Sequence, residues 1–308
     1  MADALADPSR IGEETVSGLA SAVSDVNAQV GSLPFVRLQL MLAPVVEACR
    51  RLLAGPAPTA FVGQLRQTAV AASTLAGRLA FETRDDAASR ALYAEATREA
   101  ELLRRPWRQA TVHMSHALVT LYSAHGIEGA RVLVDRAVRA ARVGDNILVR
   151  ARAYALEAEI AARAGLERPC RTALGLAWYD IEAGHTDDPA ASAFSPAHLR
   201  GFEGVCELYV GDPRLAHDRF AASAAALTSP REQVQRAIVI TDQALARLRL
   251  GEPGAAAELL HECVTAAAST GSRVPAIRLR RARRELRPWR GEPFVSELDD
   301  HLMDAFGT

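Results

Sequence analysis

The chain contains no lysine: all 36 basic residues among its 308 are arginine. Codon bias in a GC-rich genome accounts for the choice, but the absence still removes chemistry. A phosphate-binding P-loop needs its lysine, a Schiff-base enzyme needs an amine, and a protein kinase needs its strand lysine. Aromatic residues are scarce, at 5%. Ala, Leu and Arg dominate instead, which suits close-packed helices better than sheets. Cys49, Cys170, Cys206 and Cys263 never form a CxxC pair, and they sit among Ala, Val and Leu as small hydrophobes do. That usage suits a reducing cytoplasm. No apolar run approaches the ~20 residues that span a bilayer. The opening MADALADPSRIGEE lacks the basic and apolar segments of a signal peptide. The expectation is a cytoplasmic protein with no membrane partner. A net charge of −1 gives the whole molecule no pull toward nucleic acid.

Sequence motifs for chemistry are missing too. No GxGxxG, GxSxG, HExxH or EF-hand loop occurs. His113 and His116 lie three apart on one helix face, but no further ligand follows there, and Zn²⁺ wants at least three from the protein. The acidic pairs Asp85/Asp86, Asp187/Asp188 and Asp299/Asp300 sit at corners or tails, and the first two read as helix-start or loop residues. No metal, no cofactor and no catalytic residue is expected.

What is present is helix. Hydrophobic residues make up 49% of the chain, and they recur at three-to-four-residue spacing, as at Val70, Thr74/Leu75, Arg78/Leu79 and Phe81. This rhythm predicts fourteen helices, from 12–30 to 293–306. The strand-like AIVIT at 237–241 lies inside a helical pattern without turn signals and is assigned to helix.

The helices are interrupted at regular corners, such as LRLGEPGAAAELL at 248–260. Gly126, Gly165, Gly211 and Gly251 are 39, 46 and 40 residues apart, and a corner without glycine stands at Arg84, 42 residues before Gly126. A period near 40 residues, one helical hairpin each, is the signature of a solenoid. Glycine takes the left-handed position that closes the first helix, and Asp or Pro starts the second. Small residues recur at matched offsets from these corners. Gly77, Ala158, Gly204 and Ala244 stand seven before; Ser89, Cys170, Ala216 and Ala256 stand five after; Ala96, Ala177, Ser223 and Cys263 stand twelve after. The Gly126 repeat fits one residue early, at Ala130 and Ala137. Small side chains there let paired helices approach closely.

These offsets, with the G-D/E-x-x-x-A corner, resemble tetratricopeptide repeats with long helices. The order of segments resembles the C-terminal repeat region of actinobacterial Xre-type helix-turn-helix transcriptional regulators. The carrying stretches are 75–103, 194–220, 229–260 and 271–286, and the resemblance spans about residues 12–306. Residues 1–60 hold no Q-x-x-x-A-x-x-x-G pattern and no basic cluster, so the helix-turn-helix domain of that family has no counterpart here. The resemblance implies an all-α, right-handed superhelical solenoid of tetratricopeptide-like hairpins. Residues 1–56 are read as an N-terminal helical segment suited to homodimerisation through Leu19, Val23, Val26, Val30, Val36, Leu40 and Val45. Residues 57–290 form the array and 291–308 a capping helix, whose acids neutralise the Arg-rich stretch 278–290.

In such an array the first helix of each hairpin lines the concave face. Counting 13, 10, 6 and 3 residues back from each corner gives the expected groove. The residues are His113, His116, Thr120 and Ser123; Arg152, Ala155, Glu159 and Ala162; and His198, Gly201, Val205 and Leu208. Thr74 and Arg78 belong to the Arg84 corner. The last repeat is expected to be apolar there, at Ile238, Thr241, Leu245 and Leu248. The ligand-binding set is therefore Thr74, Arg78, His113, His116, Thr120, Arg152, Glu159 and His198. A polar groove ending in an apolar wall suits a peptide, a small molecule or a protein ligand. The loop 185–195 beside Trp178 and Tyr179 is long for a solenoid and reads as an edge of that site. The expected role is a non-enzymatic binding module in transcriptional control. Nucleic acid is not expected as a partner without an added DNA-binding domain. The rivals are a DNA-binding regulator lacking its helix-turn-helix domain and an enzyme using His113, His116, Glu159 and Arg152.

Overall fold

The structure, a computed structural model, describes residues 5–183 and 194–307. Its described residues hold fourteen α-helices and no strand. They are α1 (Glu13–Ala28), α2 (Phe35–Ala54), α3 (Thr59–Glu82), α4 (Asp86–Leu102), α5 (Pro106–Leu121), α6 (Gly126–Val143) and α7 (Ile147–Arg163). The second half holds α8 (Glu167–Glu182), α9 (Pro196–Val210), α10 (Pro213–Ala226), α11 (Gln233–Arg249), α12 (Pro253–Thr270), α13 (Arg273–Glu285) and α14 (Pro293–Phe306). AIVIT lies within α11, as its setting implies.

Helices pair in sequence order: α3 with α4, α5 with α6, α7 with α8, α9 with α10, and α11 with α12. The first helices also touch one another along the series, α3 to α5 to α7 to α9 to α11 to α13. Three corners share one construction. At Arg84, Gly165 and Gly251 φ is 70°, 74° and 79°. Each has the same two hydrogen bonds, from the left-handed residue to the carbonyl three back and from the next residue to the carbonyl five back: Gly165 N–H to Ala162 and Leu166 N–H to Ala161, both 2.9 Å, for example. This doubly bonded ending satisfies carbonyls that a terminating helix leaves bare. Glycine adopts it without strain, so Arg84 is the exception.

Two expected corners differ. Gly211 is not left-handed, with φ −137°. The Glu207 carboxylate occupies that side and accepts from Asp212 N–H at 3.1 Å, so a side chain does the closing. At Gly126 the preceding helix stops at Leu121, and Tyr122–His125 intervene before α6 begins. Gly126 is left-handed at φ 54°, but it does not stand directly behind the end of α5.

The small-residue offsets all fall in buried helix contacts. A Cβ on Gly204 would lie 2.6 Å from the Phe220 ring, and one on Gly77 3.0 Å from Tyr93. Ser89 donates to the Gly77 carbonyl at 2.7 Å. The four cysteines are buried and free.

The two ends of the series meet. The Glu82 carboxylate, at the end of α3, accepts from the backbone N–H of Arg273 (2.6 Å) and Val274 (3.1 Å), the first turn of α13. Ser272 makes no side-chain cap there. An acid from α3 thus satisfies donors that a helix start leaves free. The Arg273 side chain reaches back to Asp86 and to the Phe81 carbonyl. Val234 of α11 joins the core of α1–α3.

That core changes the reading of the N-terminal helices. Leu19, Val23, Val26, Val30 and Val45 are buried within the chain. Of the face expected to dimerise, only Val36 and Leu40 are exposed, with Met41 beside them. α1 and α2 bury most of their apolar surface within the chain, against each other and α3. At the other end α14 packs on α12, and Asp299 pairs with Arg283 as expected.

Candidate functional site

The first helices enclose a cavity of about 170 Å³. α3 contributes Arg78, Phe81 and Glu82; α5 contributes Ser115, Leu118 and Val119, with Tyr122 directly after its end; α7 contributes Arg152 and Glu159. α9 adds His198, Gly201, Phe202 and Val205, with Phe194 just ahead of it. α11 adds Gln235, Ile238, Val239 and Asp242, and α13 adds Val274 and Arg278. The one second-helix residue is Phe220 of α10, admitted because Gly204 leaves room for its ring. The cavity exceeds the ~150 Å³ that accommodates a benzene-sized guest.

Of the eight expected residues, four reach this cavity: Arg78, Arg152, Glu159 and His198. Thr74, His113, His116 and Thr120 do not line it. Thr74 donates to the Val70 carbonyl of its own helix at 2.6 Å. His116 stacks flat on Tyr93 of α4, centroids 4.5 Å apart. Burial, helped by His113 and Arg136, pushes its pKa down to about 4. His113 is half-buried and its pKa is also lowered, chiefly by desolvation; its buried Nδ1 has no hydrogen-bond partner. The reason for the histidine misplacement is the irregular corner before Gly126. The lining residues of α9 stand 13, 10, 9 and 6 before Gly211; those of α5, 115, 118, 119 and 122, stand at the same offsets from position 128. A shift of two residues turns a helix by ~200°, so the opposite face was counted. The convergence of His113 and His116 with Glu159 and Arg152 is absent. Among the described residues no three His, Cys, Asp or Glu side chains gather as a metal site.

Thr241, Leu245 and Leu248 turn away from the cavity into buried contacts. The wall expected to be apolar carries Asp242 instead. Asp242 pairs with Arg278, which also approaches Glu159 at 3.8 Å. Glu159 in turn binds Arg163 at 2.8 Å. The Tyr209 hydroxyl accepts from Arg163 (2.7 Å) and Arg281 (2.6 Å). Burial opposes the charge on Arg163 and Arg278. Glu159 chiefly overcomes it for Arg163 and Asp242 for Arg278, so both stay above the usual arginine value. Arg278 also lies over the Tyr122 ring, 5.3 Å from its centre. Tyr122 Oη is buried without a partner. Sequence reasoning missed Asp242, Arg278, Tyr122 and Ser115. Asp242 and Tyr122 sit at the nine- and six-residue offsets that the α9 register defines; Arg278 was hidden among seven arginines.

The other end of the cavity is different. Arg152 stands seven residues before Glu159, two turns along the same face, roughly 10 Å away along the axis. Among the described residues neither Arg152 nor Arg78 makes an ion pair or a side-chain hydrogen bond. Burial, with Arg78 and Arg231 adding their repulsion, pushes Arg152 down to about 10. The nearby acids are engaged elsewhere: Glu82 with the start of α13, and Glu232 with Ser229. His198 receives or gives a hydrogen bond to Ser195 Oγ at 2.8 Å. Its pKa is lowered, mainly by burial and against the pull of Glu232, so it is neutral at pH 7.

The stretch 184–193, most of the loop read as an edge of the site, lies outside the described residues, as do Asp187 and Asp188. Phe194, immediately after it, faces the cavity. Comparison with protein-family models gives no match, and comparison with curated proteins gives none either.

Proposed function

We propose that the chain is a non-enzymatic binding protein, built as a right-handed superhelical solenoid of tetratricopeptide-like hairpins, that holds a small molecule in its central cavity. The reading rests on one observation above the others: successive first helices α3, α5, α7, α9 and α11 each turn the same face to a single cavity. Repeated units that contact only their neighbours build such a surface. Polar groups at both ends and aromatic walls between them fit an amphiphilic guest. A cavity of this size suits a small molecule better than a peptide. The ligand's effect would be regulatory. The closure of α13 on α3 through Glu82 and Arg273 draws on the same two helices that bear Arg78 and Arg278, so occupancy and closure are coupled. The resemblance to the repeat regions of transcriptional regulators points to control of transcription in the cytoplasm as the setting.

A thermal-shift screen of the purified protein against metabolite and peptide libraries tests this reading. A genuine ligand at a hundredfold excess over Kd stabilises by about 2.7 kcal/mol through mass action. Ile238→Trp fills the cavity and should abolish the shift. A ligand whose shift survives Ile238→Trp binds elsewhere, and the cavity reading then fails.

A further inference from the structure

We propose that Arg78 and Arg152 form a subsite for the anionic head of the ligand, which is a small carboxylic acid carrying an aromatic or branched apolar body. The inference deepens the binding reading above and rests on it.

Two guanidinium groups from different helices, α3 and α7, face one cavity and neither is in an ion pair; Glu82, one turn beyond Arg78, feels its charge but gives its carboxylate oxygen to the start of α13. Like charges gathered without a counterion are unfavourable, more so away from water. Elsewhere around the cavity this chain avoids that state: Arg163 and Arg278 each have their acid. The acids nearest Arg78 and Arg152 are turned to other work. Glu82 caps α13, and Glu232 closes its own turn with Ser229. A bound anion would supply what the fold withholds. Arginine presents planar donors that match a carboxylate edge with two parallel hydrogen bonds.

The rest of the ligand follows from the walls. Beyond the arginines the surface is Phe81, Phe194, Phe202 and Ile238, so the body is apolar and ring-sized. The far end is already neutral as a set, because Asp242 and Glu159 answer Arg278 and Arg163. It offers the free hydroxyl of Tyr122, which can bond a single polar atom there. A dianion long enough to reach both ends would meet Asp242 and Glu159, so one anionic group is the expectation.

The test compares matched pairs of acids and their amides, benzoate with benzamide and 3-methylbutanoate with its amide, by calorimetric titration. Inorganic phosphate and sulfate serve as bare anions. The acids should bind the unaltered protein more tightly than the amides. Arg152→Gln and Arg78→Gln should each weaken the acids about tenfold or more, the loss expected of a charged hydrogen bond, and leave the amides unchanged. A second readout guards against misfolding: no acid acts on Arg152, so Arg152→Gln should melt no lower than the parent when empty, and Arg78→Gln only slightly lower, through the lost pull of its charge on Glu82. Amides binding as tightly as acids, with binding removed by Ile238→Trp, would overturn the anion subsite while leaving the cavity reading intact. Phosphate or sulfate binding better than any carboxylate would overturn the carboxylate assignment. Failure of every acid and amide to bind would sink the subsite and the small-molecule reading together. A marked loss of stability in the empty Arg152→Gln variant would show that the arginine serves the fold, and would also overturn the proposal.

Discussion

The two ends of the cavity treat their arginines in opposite ways. At one end Arg278 and Arg163 are matched by Asp242 and Glu159, and Tyr209 takes up further donors. At the other end Arg152 and Arg78 repel each other without an ion pair to either, and the acid nearest Arg78, Glu82, is given over to the start of α13. One helix serves both ends, since Arg152 and Glu159 share one face of α7. Along α7 itself, therefore, the difference does not come from the scaffold. It comes from which side chains the neighbouring first helices present at each level. A compensated end is a structural device, whose parts destabilise the fold when removed one at a time. An uncompensated end stores unfavourable electrostatic energy that a ligand of opposite sign can release. The two ends should thus respond to mutation with opposite signs.

The largest effect belongs to the compensated end. Asp242→Ala leaves buried Arg278 with only the longer contact to Glu159, at 3.8 Å, and should lower stability by about 3–5 kcal/mol, the cost of breaking a buried pair from one side. Chemical denaturation measures it. Replacing both, Asp242→Leu with Arg278→Met, should recover most of the loss, because well-packed apolar groups substitute for a buried pair at little cost. If the double variant is as unstable as the single one, the pair does more than neutralise itself.

A third fate of a buried basic group is to give up its proton, and His116 illustrates it outside the cavity. Flat against Tyr93, it is held neutral, with its pKa pushed down to about 4 from the usual 6.5. Between those values the unfolded chain binds more protons than the folded one, so stability falls as pH drops from about 6.5 toward 4 and levels off below. With discounting for partial exposure the loss is on the order of 2 kcal/mol. His116→Phe keeps the stack and should flatten that part of the stability profile. An unchanged slope in the variant would assign the acid sensitivity to other groups, such as His113 or His198, whose pKa values are also lowered.

How far this contrast was legible depends on the reference point used for each helix. Where a left-handed residue ends one helix directly, as at Gly165, offsets from it place Arg152 and Glu159 on the inner face. Glycine and small-residue spacing carry that information because they encode backbone geometry and close approach, which are local. His113 and His116 were misread because Tyr122–His125 lengthen the corner before Gly126, and nothing in the residue types announces where α5 stops. Pairing is less legible still. Asp242 and Arg278 lie 36 residues apart and meet only because α13 follows α11 around the cavity. The N-terminal apolar faces were visible, but not that α3 and Val234 cover them, since that contact joins opposite ends of the chain.

The uncompensated end gives the next prediction, smaller and of reversed sign. Arg152→Gln removes a repulsive neighbour of Arg78 and leaves no acid stranded. Stability should stay level or rise by up to about 1 kcal/mol, the group being only half-buried and thus partly screened. Set beside Asp242→Ala, the pair of variants decides the comparison. Both falling by similar amounts would mean that the two ends are alike and that Arg152 has a partner in solution.

The smallest expected change calibrates the rest, because it lies on the scaffold and not on the cavity-lining side chains. Arg84 holds the left-handed corner between α3 and α4 with φ 70°, the position that glycine fills at Gly165 and Gly251. A side chain there is strained, and the strain costs roughly 1 kcal/mol. Arg84→Gly removes it but also loosens the unfolded chain, which opposes part of the gain. The net should be a rise of about 0.5 kcal/mol, read as a small increase in the denaturation midpoint at unchanged slope. Ligand affinity should not move, since Arg84 does not line the cavity. Should affinity change along with stability, the corner and the cavity are mechanically linked through α3, and the opposite behaviour of the two arginine clusters could no longer be read as purely local electrostatics.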